Sequence, residues 1–189
     1  MEGKIMNVNG ETTKSGQGAR TGNKALVLYH PNGKGTGSAL QLELRLNRTG
    51  EDRYDCFFLE MALQKTAAAN GTDGRKPATF DWAAKATVKM DFTDICEVLT
   101  VLEGRAEQAG GQRNGIYHES GNTNTVIGLK KNAEGGYFLG VSRKDKQGAQ
   151  VFKGHMLLSE AEAIGLRCVM QSGLFFMTFH SNLRAAAWE

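Results

Sequence analysis

Apolar and polar residues alternate strictly over several stretches of the chain and then switch to helical spacing, and this happens twice. In SALQLELRLN (38–47), Leu40, Leu42, Leu44 and Leu46 fall on one side and Gln41, Glu43 and Arg45 on the other, the period of a half-buried strand. The same period predicts strands over 25–29, over 56–65 with Phe57, Leu59, Met61 and Leu63 inward, and over 79–90. In the last of these, Phe80, Trp82, Ala84, Ala86 and Val88 share the core side, with Lys85, Thr87 and Lys89 opposite. The segment TAAANGTDGRKP between them reads as an exposed loop. Beyond Gly110 and Gly111, strands are predicted over 116–120, 125–131, 137–143 and 151–158, separated by turn-forming SGNTN, NAEGG and KDKQG.

Each set of strands leads into a helix. Asp91 is an N-cap residue with Asp94 three positions on. Phe92, Ile95, Leu99 and Leu102 form a buried stripe, and Gly104 suits the position after the C-cap. In HMLLSEAEAIGLRCVMQSGLFFMTFH (155–180), Ser159 and Glu162 form a capping box and Leu158 and Ala163 a hydrophobic staple. Ala163, Leu166, Met170, Leu174 and Met177 make the buried stripe, with Glu160, Arg167, Gln171 and Thr178 on the other side. Toward the end, Leu174, Phe175, Phe176, Met177 and Phe179 cover nearly the whole circumference, so that end requires cover on every side. Either it is tucked deep in a single-chain core, or it is core on one face and subunit contact on the other.

Strands arriving as meanders, each set followed by one helix, give an α+β class: two antiparallel four-stranded sheets packed on two helices, ββββα repeated twice. The repeat would run over 24–110 and 111–180, with a mobile arm rich in Gly, Ser, Thr and Asn over 1–23 and a short tail over 181–189. Hydrophobic content of 40% and charged content of 23% are those of a soluble globular chain. No apolar run approaches the roughly 20 residues needed to span a bilayer, and the N-terminal stretch lacks the apolar core of a secretory signal. Cys56, Cys96 and Cys168, widely spaced in apolar stretches, read as buried thiols of a reducing compartment. That points to the cytoplasm, and to the nucleoid if the chain is bacterial.

The net charge is only +3, but it is segregated. Residues 1–48 hold seven basic side chains against three acidic ones, and 130–153 hold six against two, whereas 91–110 hold one against five. A polyanion would be drawn to the strands and repelled from the first helix.

The order of features resembles the Whirly single-stranded DNA-binding family, related in fold to the kinetoplastid mitochondrial RNA-binding proteins. FDWAAKATVKMDFTDICEVLTVL is similar to the family's YDW…K segment and the helix after it, and GGYFLGVSRK…VFKGHMLLSEAEAIGLRCVM is similar to its second strand set and helix start. The KGKAAL-type signature takes the looser form GKGTGSAL (33–40), which keeps Lys34 and the pair Ala39–Leu40. The resemblance covers about 24–180. It implies two sheets projecting like blades from a helical centre, assembly into a homotetramer, and single-stranded nucleic acid running across sheet edges.

Binding single strands without strict sequence choice needs a basic track for phosphates and flat side chains for bases. Candidates for the track are Lys34, Arg45, Lys85, Lys89, Lys130, Lys131, Arg143 and Lys144, and for stacking Tyr29, Phe58, Tyr117 and Phe138. Against this, Phe58 and Phe138 could be core aromatics, any single Lys could be a solubilising edge residue, and Trp82 reads as core.

Catalytic patterns are missing from the sequence. GKGTG (33–37) lacks P-loop spacing and no helix follows it, leaving a turn or a nest for a phosphate contact. His30, His118, His155 and His180 sit in separate segments without metal-ligand spacing and read as surface or satisfied histidines. No GxSxG elbow is present. The expectation is a non-enzymatic, cofactor-free binder of single-stranded DNA, with an RNA-binding variant and a protein-interaction scaffold as alternatives.

Overall fold

The computed structural model describes residues 25–46, 55–71 and 74–186, with side chains as far as Phe179. The arm expected over 1–23, nearly all of the turn expected over 47–55, and Trp188 lie outside the described residues. In chain order the elements are β1 (Ala25–His30), β2 (Ser38–Arg45), β3 (Cys56–Thr66), β4 (Ala69–Gly71), β5 (Gly74–Lys76), β6 (Thr79–Phe80), β7 (Ala86–Met90), α1 (Phe92–Leu102), β8 (Ile116–Ser120), β9 (Thr123–Lys131), β10 (Tyr137–Asp145), β11 (Gln150–Leu158) and α2 (Glu160–Ala186).

Two large antiparallel sheets result, beside a two-stranded ribbon of β4 and β5. In the first, β1, β2, β3 and β7 lie side by side, and the two-residue β6 extends the far end of β3. In the second, β8 to β11 form a plain meander. Register explains why alternation in sequence became a core. Leu28–Leu40–Met61–Ala86, Leu26–Leu42–Leu59–Val88 and Leu44–Phe57–Met90 are rows on one face of the first sheet. Met156–Leu139–Leu129 and Gly154–Val141–Ile127–Ile116 are rows on one face of the second. A one-residue slip in any pair would turn a whole row to solvent. These faces and the stripes of both helices enclose one continuous apolar core.

Both helices start where their caps place them. Asp91 Oδ1 accepts the Asp94 N–H at 3.0 Å while Asp94 Oδ2 accepts the Asp91 N–H at 2.9 Å. At α2, Ser159 Oγ accepts the Glu162 N–H at 3.2 Å and Glu162 Oε2 accepts the Ser159 N–H at 2.8 Å. Each box satisfies backbone donors that the first helical turn cannot pair internally.

Several expectations need correction. The strand expected over 79–90 is interrupted, because the Asp81 side chain accepts the Ala84 N–H at 3.3 Å and caps a short 3-10 turn, Trp82–Ala84. That turn leaves Trp82 only half-buried and outside the core. The exposed loop before it contains the β4–β5 ribbon. Phe92 is 51% exposed, and α1 buries Val98 and Val101 beside Ile95, Leu99 and Leu102. Cys56 is buried and burial raises its thiol pKa, whereas Cys168 is exposed. The segment expected as a tail continues α2 to Ala186.

The two sheets meet at one corner. Ser38 Oγ on β2 donates to the His155 carbonyl on β11, and Gly154 leaves only enough room for the Met61 sulfur. Helix α2 is fitted to the first sheet through Gly173, where an added Cβ would lie 2.0 Å from Cζ of the fully buried Phe57. Gly165, on the same helix, has open space around it. Alanine is favoured over glycine in a helix by about 1 kcal/mol, so the two sites separate propensity from packing. Gly165→Ala is expected to raise the melting temperature. Gly173→Ala is expected to lower it, because overpacking costs about 1–3 kcal/mol. Thermal melts of the two variants check this, and a stabilised Gly173→Ala would contradict the packing.

Candidate functional site

The faces turned away from the core differ sharply between the sheets. On the first, the outward row Glu43–Phe58–Lys89 lies beside Gln41–Glu60–Thr87. Much of this face is internally satisfied. Lys85 Nζ donates to Glu60 Oε2 at 2.6 Å, Thr87 Oγ1 donates to Glu60 Oε1 at 3.1 Å, and Arg45 pairs with Glu43 while its guanidinium lies 5.0 Å above the Phe58 ring. Glu60 is buried, so its charge requires Lys85.

The second sheet is open. Its outward rows are Leu157–Phe138–Lys130, His155–Gly140–Gly128 and Lys153–Ser142–Val126–Tyr117. Phe138 and His155 stack with ring centroids 5.1 Å apart and planes 18° apart. Phe138 is 47% exposed and Tyr117 56%. The Tyr117 hydroxyl donates to the Arg113 carbonyl at 2.9 Å, which fixes the ring's direction. Gly128 and Gly140 leave a floor without side chains between the aromatic pair and Val126, so a flat group can approach the backbone there. Lys130, Lys144 and Lys153 are exposed and make no ion pair among the described residues. Glu119 is the one acidic side chain in the outward positions of these strands. The surface is flat, cationic and aromatic, which suits a polyanion with planar groups.

Between the sheets runs a cleft of about 880 Å³, bordered by Phe58, Lys89, Phe92, His118, Thr125 and Arg143. His118 Nε2 lies 3.1 Å from Asp94 Oδ2. That carboxylate raises the imidazole pKa, against burial, which lowers it. At α2, burial pushes the Glu162 carboxyl pKa up, but the Ser159 N–H and His30, at 2.7 Å, outweigh it and hold the pKa below its usual value. Among the described residues, no three His, Cys, Asp or Glu side chains converge as a metal site would require. Among them too, no helix is long and apolar enough to cross a membrane.

No family model and no curated protein matches the chain. Solved structures do. WHY1 from Arabidopsis thaliana aligns with a TM-score of 0.64 at 17% identity, over 88% of this chain and 93% of that one. The chain has the Whirly fold. Trypanosome MRP1/MRP2 aligns with a TM-score of 0.58 at 18% identity, over 85% of this chain and 90% of that one. A guide-RNA-binding protein complex bound to its guide RNA aligns at 0.54 and 17%, over 84% and 94%.

On this Whirly fold the sequence-derived candidates separate into groups. Lys130, Lys144, Tyr117 and Phe138 share the open face of the second sheet. Lys131 is exposed at the end of β9, Lys89 is exposed at the cleft, and Lys34 is exposed in the loop after β1. Tyr29 is 56% exposed at the far end of the first sheet. Phe58 is half-buried under Arg45, and Lys85 is committed to Glu60. Arg143 points into the cleft, where Nη2 donates to the Thr87 carbonyl at 2.6 Å and Nε to Thr125 Oγ1 at 2.8 Å, tying one sheet to the other.

The loop read as a turn or phosphate nest is a closed turn. Asn32 Oδ1 accepts the Lys34 and Thr36 N–H groups, each at 3.0 Å, and Gln64 Oε1 accepts those of Asn32 and Gly37. Few amides are left to hold an anion. The sequence reading passed over His155, Lys153 and Leu157. Their parity with exposed Val151 and opposite to buried Phe152 and Met156 was the available signal.

Proposed function

We propose that the chain is a sequence-tolerant single-stranded DNA-binding protein, acting as a homo-oligomer in replication, repair, recombination or transcription. The open face of the second sheet carries this reading. It offers Phe138 stacked on His155 and Tyr117 for bases, with Lys130, Lys144 and Lys153, which make no ion pair among the described residues, for phosphates. Bases can lie flat on such rings only when they are not already stacked in a duplex, so the surface favours unpaired strands. Assembly is supported by a ridge on α2, where Phe175, Phe176 and Phe179 are 51%, 43% and 45% exposed, Phe175 packing edge-on to Phe176 and tilted against Phe179. Contiguous apolar exposure of this kind is covered by a partner, and a tetramer is the assembly implied by the family resemblance.

RNA is the second reading, favoured by the likeness to the guide-RNA-binding complex. Titrating labelled single-stranded DNA, the same sequence in RNA, and duplex DNA at two salt concentrations separates the readings. Single strands should bind better than duplex. With Lys130, Lys144 and Lys153 engaged, log K should fall with log salt at a slope of about −2 per subunit. Absence of binding at low salt would leave a scaffold.

A further inference from the structure

A second cavity, about 530 Å³, opens at the far end of the first sheet between Tyr29, Phe80, Arg75, Pro31 and Pro77. We propose that it is a nucleotide slot, which holds one base of a bound single strand against Tyr29 and Phe80 and one phosphate on Arg75. The inference rests on the single-strand reading above and adds a site on the first sheet, separate from the open face of the second.

One wall is aromatic. The Tyr29 and Phe80 rings have centroids 5.5 Å apart and planes tilted by 46°, so they brace each other and leave no gap for a base to enter between them. A base must therefore lie on their open side, and Tyr29 is 56% exposed there. The β4–β5 ribbon also lines the cavity and contributes Arg75, exposed and without an ion pair among the described residues. Among the described residues, no acidic side chain lines the slot. Its volume falls within the range of about 300–1,000 Å³ typical of small-ligand sites.

The slot is built before a ligand arrives. Pro31 and Pro77 fix backbone torsions on both rims. Gln64, buried at 8% exposure, clamps the loop after Pro31: its Oε1 accepts the Asn32 and Gly37 N–H groups at 2.9 and 3.0 Å, and its Nε2 donates to the Asn32 carbonyl at 2.9 Å. Gly37 is required for that clamp, since an added Cβ would lie 2.4 Å from Gln64 Oε1. Preorganisation lowers the cost of ordering the site on binding. An aromatic pair and a guanidinium in one cavity, with no acidic side chain lining it among the described residues, match a nucleobase and its phosphate.

The test uses the full-length chain and a labelled oligothymidylate carrying one 2-aminopurine, with the unaltered protein beside Tyr29→Ala and Arg75→Ala. Both positions are exposed, and far-UV melts confirm folding. The expected results are quenched 2-aminopurine fluorescence in the unaltered complex, relief of quenching and about tenfold weaker binding for Tyr29→Ala, and a salt slope smaller by about 0.7 for Arg75→Ala. If the unaltered chain binds the strand and both variants bind it with the same affinity and slope, the slot is overturned while the open face stands. If the unaltered chain binds no strand, both proposals fall.

Discussion

Changing Phe138 to alanine together with Lys130 and Lys153 to glutamine is expected to weaken single-strand binding by about a hundredfold. Removing a base-stacking ring costs about 1–3 kcal/mol, and losing two cations should reduce the salt slope by about 1.4. All three side chains are exposed, and the two lysines make no ion pair among the described residues. Exposed substitutions of this kind leave stability within about 0.5 kcal/mol. Fluorescence anisotropy at two salt concentrations reads both quantities. Unchanged affinity would remove the second sheet from the interface. The corresponding change at Lys85 would be uninformative: Lys85→Glu would set a second carboxylate against buried Glu60, confusing lost binding with lost stability.

The second large effect concerns assembly. Phe175→Glu with Phe179→Glu is expected to break the proposed oligomer into folded single chains. Fully covering an exposed phenylalanine is worth about 1.5–3 kcal/mol, so covering these two half-exposed rings contributes about 1.5–3 kcal/mol per chain, or about one to two decades in the dissociation constant. Buried Leu166 and Met170 keep α2 on the core, so the monomer should retain its helical signal. Light scattering after gel filtration measures the mass. An unaltered chain that already runs as a monomer would contradict the assembly.

Much of the fold was legible because half-buried strands and capped helices leave local signatures. Leu40, Leu42 and Leu44 report their face directly, and the Asp91–Asp94 and Ser159–Glu162 boxes mark where helices begin. The break at Asp81 was hidden because the apolar alternation of 79–90 continues through it, and only the side-chain cap to Ala84 interrupts the strand. Phe92 was assigned by helical spacing, but the first turn of α1 borders the open cleft rather than the core.

The candidate site was legible by parity on β8, β9 and β10, where Tyr117, Lys130 and Phe138 alternate with buried neighbours. The same parity places Arg143 with Tyr137, Leu139 and Val141, on the inner face. Its charge suggested a phosphate contact; in the structure it donates to the Thr87 carbonyl and the Thr125 hydroxyl at the cleft, away from the open face. His155 was passed over because an isolated histidine carries no local signal. Its stacking on Phe138 follows only from the pairing of β10 with β11. The slot at Tyr29 was out of reach for the same reason, since Phe80 and Arg75 join it through the ribbon and the interrupted strand.

The most direct test of the central claim is ultraviolet cross-linking of the unaltered chain to a single strand carrying 5-iodouracil, with the attached peptides mapped by mass spectrometry. Cross-links are expected at Tyr117, Phe138 and His155. Cross-links confined to the helices, or to Phe58 and Phe92 in the cleft, would contradict it.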